Sequence, residues 1–366
     1  MRILVFNWRD IKNPSAGGAE EFIHQIFSRI ALKGNEVTLV TSKVPNLTKE
    51  EKIDGIRIVR SGGKFMTYLL SFFFYLRYKN NYDVIVESIN TIPYLTPFYA
   101  KGKNMAILHH VGGRETYDLE VNPMMSSILT FLQKLTLLIY RSQKVVAVSP
   151  STKAELVRSK LSDRNVALIL NGVNIESSTE KFSKYVYPTI VYFGRVKPLK
   201  RVEEVIFAFQ EVKGRVPDAR LIIAGRGDKT YYDRLNKLAY SSRVKDIAFI
   251  GEIKEEDKPS QIGRCWIFVT ASVKEGWGIS VLEANKFGLP AVAYDVPGLR
   301  DSIKNGVTGY LVKNGDRDKL VEALVRLLTD DDLRIKMSES ATRWAKSFDW
   351  NVSAERMLKE IGELHG

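Results

Sequence analysis

Apolar residues in this chain follow two alternating rhythms. Short β-branched runs read as strands at Ile3–Phe6, Val37–Val40, Ile56–Val59, Val84–Val86, Met105–Leu108, Val145–Val148 and Val166–Leu170. Amphipathic stretches lie between them; Phe22, Ile23, Ile26, Phe27 and Ile30, for example, recur at helical spacing. Strand alternating with helix predicts parallel pairing through right-handed crossovers. The rhythm pauses over Glu176–Pro188, a polar, Ser-rich stretch ending in proline that reads as an interdomain linker. A second alternation follows, with strands at Ile190–Phe193, Leu221–Ala224, Ile247–Ile250, Ile267–Thr270, Ala291–Ala293 and Tyr310–Val312. Two helical segments come last, Asp331–Lys346 and Trp350–Leu364, separated at Ser347-Phe348-Asp349.

Length agrees with two halves: 366 residues exceed one ordinary α/β core and suit two of about 150–200 residues each. A single cysteine, Cys265, cannot form an internal disulfide and points to a reducing, cytoplasmic setting. The apolar run after Met1-Arg2 is too short for the core of a secretory signal. Runs without charge, such as Phe65–Leu76 and Val121–Gln133, fall short of the roughly 18–20 residues needed to span a bilayer. The formal net charge of +13 is spread evenly, with 23 basic against 16 acidic residues in 1–180 and 32 against 26 in the remainder. That distribution argues against a nucleic-acid-binding tail and suits anionic ligands or an anionic membrane face. The apolar segment Phe65–Tyr78, flanked by Lys64 and Lys79 and carrying Arg77, reads either as a core helix or as one lying on a membrane.

Four loops could carry chemistry. Asn13-Pro14-Ser15-Ala16-Gly17-Gly18-Ala19-Glu20 follows the first strand, and its paired glycines admit a ligand close to the backbone at a helix N-terminus. It is not a G-x-G-x-x-G fingerprint, which weakens any dinucleotide or oxidoreductase reading. Leu108-His109-His110-Val111-Gly112-Gly113-Arg114-Glu115 puts two histidines at the end of a buried strand. They do not suit zinc, because adjacent strand residues point to opposite faces and no further Cys or His lies nearby. Gly194-Arg195-Val196-Lys197-Pro198-Leu199-Lys200-Arg201 lets Arg195 and Lys200 reach one point ahead of the next helix, a charge pairing suited to a diphosphate. In Lys274-Glu275-Gly276-Trp277-Gly278-Ile279-Ser280-Val281-Leu282-Glu283-Ala284, two glutamates flank a helix start whose glycines expose backbone N–H groups. One carboxylate can orient a sugar while the other holds a ribose. Asp316-Arg317-Asp318 superficially resembles a metal-binding Asp-x-Asp but precedes a helical run, where capping is its simpler role.

Taken together, Gly194-Arg195 with Lys200, Ala224-Gly225-Arg226-Gly227, the Glu275 and Glu283 pair with its Gly-x-Gly, and Pro297-Gly298 followed by Asn305-Gly306-x-x-Gly309 resemble glycosyltransferase family 4. The resemblance runs over essentially the whole chain. It implies the α/β GT-B fold: two Rossmann-like domains facing each other across a cleft. The expected division is 1–178 on the acceptor side, 179–347 on the donor side, and a C-terminal helix in 348–366 crossing back to the first domain. The implied activity is retaining, metal-independent transfer of a hexose from a nucleotide diphosphate-sugar to a glycan or lipid-linked acceptor, with no cofactor. Arg195 and Lys200 would neutralise the diphosphate, Glu275 would contact the donor sugar and Glu283 the ribose. Backbone amides around Gly276, Trp277, Gly278 and Ile279 would hold sugar and phosphate, with Gly194 and Gly225 nearby. Gly17 and Gly18 would face the diphosphate or the acceptor, and His109, or alternatively His110, would lie beside the reacting centre. Trp277 stands where the family usually has phenylalanine, and the histidine is doubled. A non-catalytic nucleotide-sugar or glycan-binding partner is the alternative.

Overall fold

The computed structural model describes residues 1–174, 183–241 and 245–365. The stretch 175–182, which holds most of the expected linker, lies outside the described residues. The chain forms two compact units. The first comprises Met1–Tyr117, Val121–Gly172 and Asp349–Gly366; the second comprises Asp118–Glu120 and Val173–Phe348.

The first unit is built on an eight-stranded sheet. Its strands are β1 (Arg2–Phe6), β2 (Glu36–Thr41), β3 (Glu50–Ile53), β4 (Ile56–Arg60), β5 (Val84–Ile89), β6 (Asn104–Leu108), β7 (Lys144–Ala147) and β8 (Val166–Leu168), in the order β3-β4-β2-β1-β5-β6-β7-β8. All pairings are parallel except β3 with β4. Side chains alternate across the sheet. Ile3 and Val5 pack with Phe22, Ile26 and Phe27 of helix Gly18–Leu32 and with Trp350, Met357 and Ile361 of helix Trp350–His365. Leu4 and Phe6 point the other way, toward Tyr75, Tyr82 and Tyr94.

The second unit carries a six-stranded, all-parallel sheet of β9 (Thr189–Phe193), β10 (Arg220–Ala224), β11 (Ile247–Gly251), β12 (Ile267–Thr270), β13 (Ala291–Tyr294) and β14 (Gly309–Val312), in the order β11-β10-β9-β12-β13-β14. Its central strands β9, β12 and β13 are buried along their whole lengths, as β-branched runs covered on both faces should be. The described part of the expected linker packs on this unit: Tyr185 N–H bonds to the Arg264 carbonyl at 2.8 Å, and Lys184 Nζ donates to the carbonyls of Gly263 and Cys265 at 2.9 Å. Asp316 caps helix Arg317–Thr329 by accepting from Lys319 N–H at 3.0 Å.

Strand order reverses at β1/β5 in the first sheet and at β9/β12 in the second. At such reversals the loops leaving the carboxyl ends of adjacent strands diverge to opposite faces and open a crevice. The candidate loops after β1, β9 and β12 all leave strands at these two positions.

Candidate active site

In the second unit, β9 and β12 deliver the loops Gly194–Arg201 and Ala271–Gly278 side by side, joined by a backbone bond from Val273 N–H to the Leu199 carbonyl at 3.0 Å. Lys200 Nζ pairs with Glu275 Oε1, and Ser272 Oγ donates to the same oxygen at 2.7 Å. Burial pushes the Glu275 carboxyl pKa upward, but the Lys200 charge and the two hydrogen bonds outweigh it, so the group sits below its ordinary value and remains ionised. The Arg195 guanidinium belongs to the same electrostatic neighbourhood: Tyr192, fully buried, feels both the Glu275 and Arg195 charges, and its hydroxyl donates to the Arg195 carbonyl at 2.7 Å. Lys197 is a further cation here. Its ammonium pairs with Glu120 at 2.5 Å. Burial lowers its pKa, the Glu120 carboxylate opposes that, and the positive charges of Arg195 and Lys200 add to the lowering.

Two glycines let the loops of this site close on one another. A side chain at Gly225 would put its first carbon 1.7 Å from the Gly194 carbonyl oxygen, so only glycine lets the loops after β9 and β10 touch. At Gly298 (φ +83°) the same carbon would fall 2.4 Å from the Glu275 carbonyl oxygen. The Pro297-Gly298 turn thus presses on the Glu275 backbone and accepts its N–H at the Pro297 carbonyl, 3.0 Å away. Gly278 then caps helix Ile279–Lys286, whose free N–H groups complete a positive end beside Glu275. Gly276 and Trp277 lie between; Trp277 is buried edge-on against Phe348, with its indole N–H lacking a hydrogen-bond partner. Glu283, farther along the helix, pairs with Lys258 Nζ at 2.8 Å, and Lys258 also holds Glu255. Burial opposes the Lys258 charge, but the two carboxylates prevail and raise its pKa.

In the first unit, the loop after β1 is braced by a buried ion cluster. Arg60 is bidentate to Asp10, at 2.8 and 3.0 Å, and also donates to Glu51 at 2.5 Å and to the Thr48 carbonyl at 3.0 Å. Gly17 stands at the N-cap of the helix that Gly18 begins, and its N–H bonds back to Glu20 at 2.8 Å. His109, just past β6, is buried with Nε2 3.0 Å from Ser88 Oγ and its ring edge-on to Phe22. Burial, helped by the neighbouring His110, pushes its pKa down to about 3, so the ring is neutral near pH 7. His110 is more open. The expected donor residues from Gly194 to Glu283 all fall in the second unit, and Gly17, Gly18, His109 and His110 in the first.

Sequence reasoning passed over Lys197, Ser272 and Lys258 as site residues. Lys197 stood inside the cationic loop, but nothing local marks its ammonium as buried. Ser272 and Lys258 gain their roles only when β12 and the segment before it close on Glu275 and Glu283.

Two Rossmann-like units with a cationic loop after β9 and a carboxylate-centred loop after β12 define the GT-B class of glycosyltransferase folds. The pattern described as Glycosyltransferase Family 4 matches residues 16–177, and that of Glycosyl transferases group 1 matches 175–344. The chain belongs to glycosyltransferase family 4. It is 30% identical over 197 residues to a phosphatidyl-myo-inositol mannosyltransferase of Mycobacterium leprae, a match covering 52% of each chain. The chain thus spans about half the length of that curated relative and of the mycolicibacterial mannosyltransferase it also matches. It is 23% identical over 349 residues to an N-acetyl-alpha-D-glucosaminyl L-malate synthase of Bacillus anthracis, covering 90% of this chain and 89% of the relative. Among solved structures, sucrose-phosphate synthase from Thermosynechococcus elongatus superposes with a TM-score of 0.83 at 20% identity, over 99% of this chain and 98% of the other. Anabaena HepE in complex with UDP-glucose gives 0.78 at 16% identity, over 99% and 100%.

Proposed function

We propose that the protein transfers a hexose from a nucleotide diphosphate-sugar to a glycan or lipid-linked acceptor, with retention and without a metal ion, and works in the cytoplasm at a membrane surface. The observation that carries this reading is the Lys200–Glu275 pair beside Arg195 and the N-terminus of helix Ile279–Lys286. The names of the relatives support it: the Mycobacterium leprae protein is a mannosyltransferase, and the Anabaena structure holds UDP-glucose.

The slow event in such a transfer is rupture of the bond between the anomeric carbon and the diphosphate oxygen. Lys200, Arg195 and Lys197 supply fixed positive charge where the leaving oxygens gain negative charge, and the helix N–H groups add to it. Glu275, kept ionised and oriented by Lys200 and Ser272, accepts hydrogen bonds from hydroxyls of the donor sugar. Glu283 takes the ribose. The acceptor oxygen attacks the anomeric carbon from the face the diphosphate leaves, and its proton passes to a departing phosphate oxygen. The new C–O bond therefore replaces the broken one with configuration kept and no external base consumed. His109 is neutral, so it acts as a hydrogen-bonding group rather than as a general acid.

The test is a transfer assay on the wild type, Lys200→Ala and Arg195→Ala with a panel of nucleotide sugars, in the presence and absence of chelator. Losing one such cation lowers kcat by about 10²–10³-fold on this reading, and chelator changes nothing. Full-speed transfer by either variant, or abolition by chelator, would refute it. Binding of donor without turnover across acceptors would instead mark a non-catalytic partner.

A further inference from the structure

Helices on a protein surface ordinarily turn the apolar stripe inward and the polar one to water. Two helices of the first unit do the opposite. Helix Pro123–Ile139 buries Ser126, Gln133 and Thr136 alongside Leu137. Met124, Ile128, Phe131, Leu135 and Leu138 face solvent, with Phe131 66% and Leu138 65% exposed. Their spacing of four, three, four and three residues makes one continuous stripe. Helix Met66–Tyr78 repeats the inversion, with Thr67, Ser71 and Tyr75 inside and Met66, Leu69, Phe73 and Leu76 outside.

Both helices cover the same face of the sheet. The register sets Leu4 beside Ile85, Glu87 beside Ala106, and Ala106 beside Val145, so these side chains share one face. Tyr75 packs with Leu4 and Ile85, and Leu137 packs with Ala106 and Val145. The connection from β5 to β6 adds Phe98, 64% exposed, from the turn Thr96–Phe98. This surface is braced from beneath. Tyr99 meets the rings of Phe72 and Tyr75 at 5.0 and 5.3 Å, while buried Glu87 accepts from Tyr94 N–H, the Thr96 hydroxyl and the Tyr140 hydroxyl.

Charge identifies the occupant. From Ser61 to Arg114 the only acidic residues are Asp83 and Glu87, the first paired with Arg2 and the second buried. The same stretch carries Lys64, Arg77, Lys79, Lys101, Lys103 and Arg114. Val121–Gln143 has no acidic residue and contains Lys134 and Arg141. At the end of helix Pro123–Ile139, an open groove lined by Leu138, Arg141, Ser142, Lys160, Ser162 and Asn165 sets cations and hydroxyls next to the apolar stripe. Apolar stripes that carry no carboxylate of their own and are bordered by cations, with the exposed Glu115, Asp118 and Glu120 lying ahead of Pro123, match the boundary between anionic headgroups and acyl chains. Among the described residues no helix is long and apolar enough to cross a membrane.

We propose that this two-helix face lies on an anionic lipid bilayer, with the stripes of Pro123–Ile139 and Met66–Tyr78 inserted together at the headgroup–acyl boundary. The inference rests on the peripheral part of the functional reading and not on sugar transfer. Its test is co-sedimentation with phosphatidylglycerol-containing and pure phosphatidylcholine vesicles, free of any glycolipid. Wild type is compared with Phe131→Ser/Leu138→Ser and with Leu69→Ser/Phe73→Ser, each variant checked for unchanged melting temperature and for donor turnover without vesicles. The expected result is salt-sensitive binding to the anionic vesicles, weakened at least tenfold by either pair, with donor turnover unaltered. A dye on Phe131→Cys should shift to the blue on binding; the native Cys265 is buried, with its thiol pushed up to about 12, and leaves the label to the introduced site. No vesicle binding, binding unchanged in the Phe131/Leu138 pair, or a dimer that the substitutions dissociate without any lipid binding would each overturn the proposal. Loss of donor turnover in the wild type, with vesicle binding intact, would count against the transfer reading alone.

Discussion

Glu275 shows how one residue can be both a structural liability and the centre of a site. Its carboxylate, largely withdrawn from water, keeps its charge because Lys200 and Ser272 meet it. Removing the ammonium alone leaves a nearly buried anion without its counter-charge. We therefore expect Lys200→Met to lose up to about 3 kcal/mol of stability, and the double variant Lys200→Met/Glu275→Gln to recover most of it. Transfer should recover in neither. Urea unfolding read beside an activity assay separates the two roles: if the double variant regained activity with stability, the pair would be structural only. The types of these two residues were legible in the sequence because glycine-rich loops announced where backbone would meet ligand. Lys197 was not, since burial of an ammonium is a property of the folded neighbourhood and a lysine in a basic loop has no local mark of it.

At the scale of elements, the β-branched runs each found a strand, because strands buried on both faces must be apolar throughout and so stand out from amphipathic helices. β3 did not stand out. Glu50-Glu51-Lys52-Ile53 is charged and half exposed; it pairs antiparallel to β4 across Asp54-Gly55 and is tied down by Arg60 and Lys12 at Glu51. Nor did the sequence tell which way two helices would face: periodicity locates a stripe, but it cannot say whether the sheet or the outside receives it. The turn Pro297-Gly298 offers a test at this scale. Gly298→Ala places a carbon against the Glu275 carbonyl in a left-handed backbone conformation, a strain of about 1–3 kcal/mol. The relief is to push the Glu275 loop away, so donor affinity should fall at least tenfold while Gly306→Ala, at an open turn with nothing near it, leaves affinity unchanged. Calorimetric titration of the two variants with donor checks this, and equal affinities would show that the turn does not set the loop.

The molecule as a whole should respond to pH through two buried groups on opposite faces of the first sheet. Glu87, under the inverted helices, is pushed up to about 7 by burial despite three hydrogen bonds to it, and His109, against Phe22, is pushed down to about 3 by burial and then by His110. The signs are opposite. Folded Glu87 keeps its proton up to about pH 7 whereas the unfolded chain releases it near 4.5, so its stabilisation is complete at low pH and is lost as pH rises between those values. Folded His109 stays neutral while the unfolded ring takes a proton below 6.5, so its contribution is present above 6.5 and is lost as pH falls toward 3. Each slope is about 1.4 kcal/mol per pH unit, and they oppose one another between 4.5 and 6.5. The wild type should therefore be nearly flat across that window as far as these two groups govern it. Glu87→Gln exposes the histidine slope, and stability then rises by about 2 kcal/mol between about pH 5 and 6.5. His109→Gln exposes the glutamate slope and falls by a similar amount. Urea unfolding of the three proteins at stepped pH decides the matter: parallel profiles would mean that neither group titrates across its burial as argued, whereas curves that cross would show two buried groups, each held neutral by the fold, balanced across one sheet.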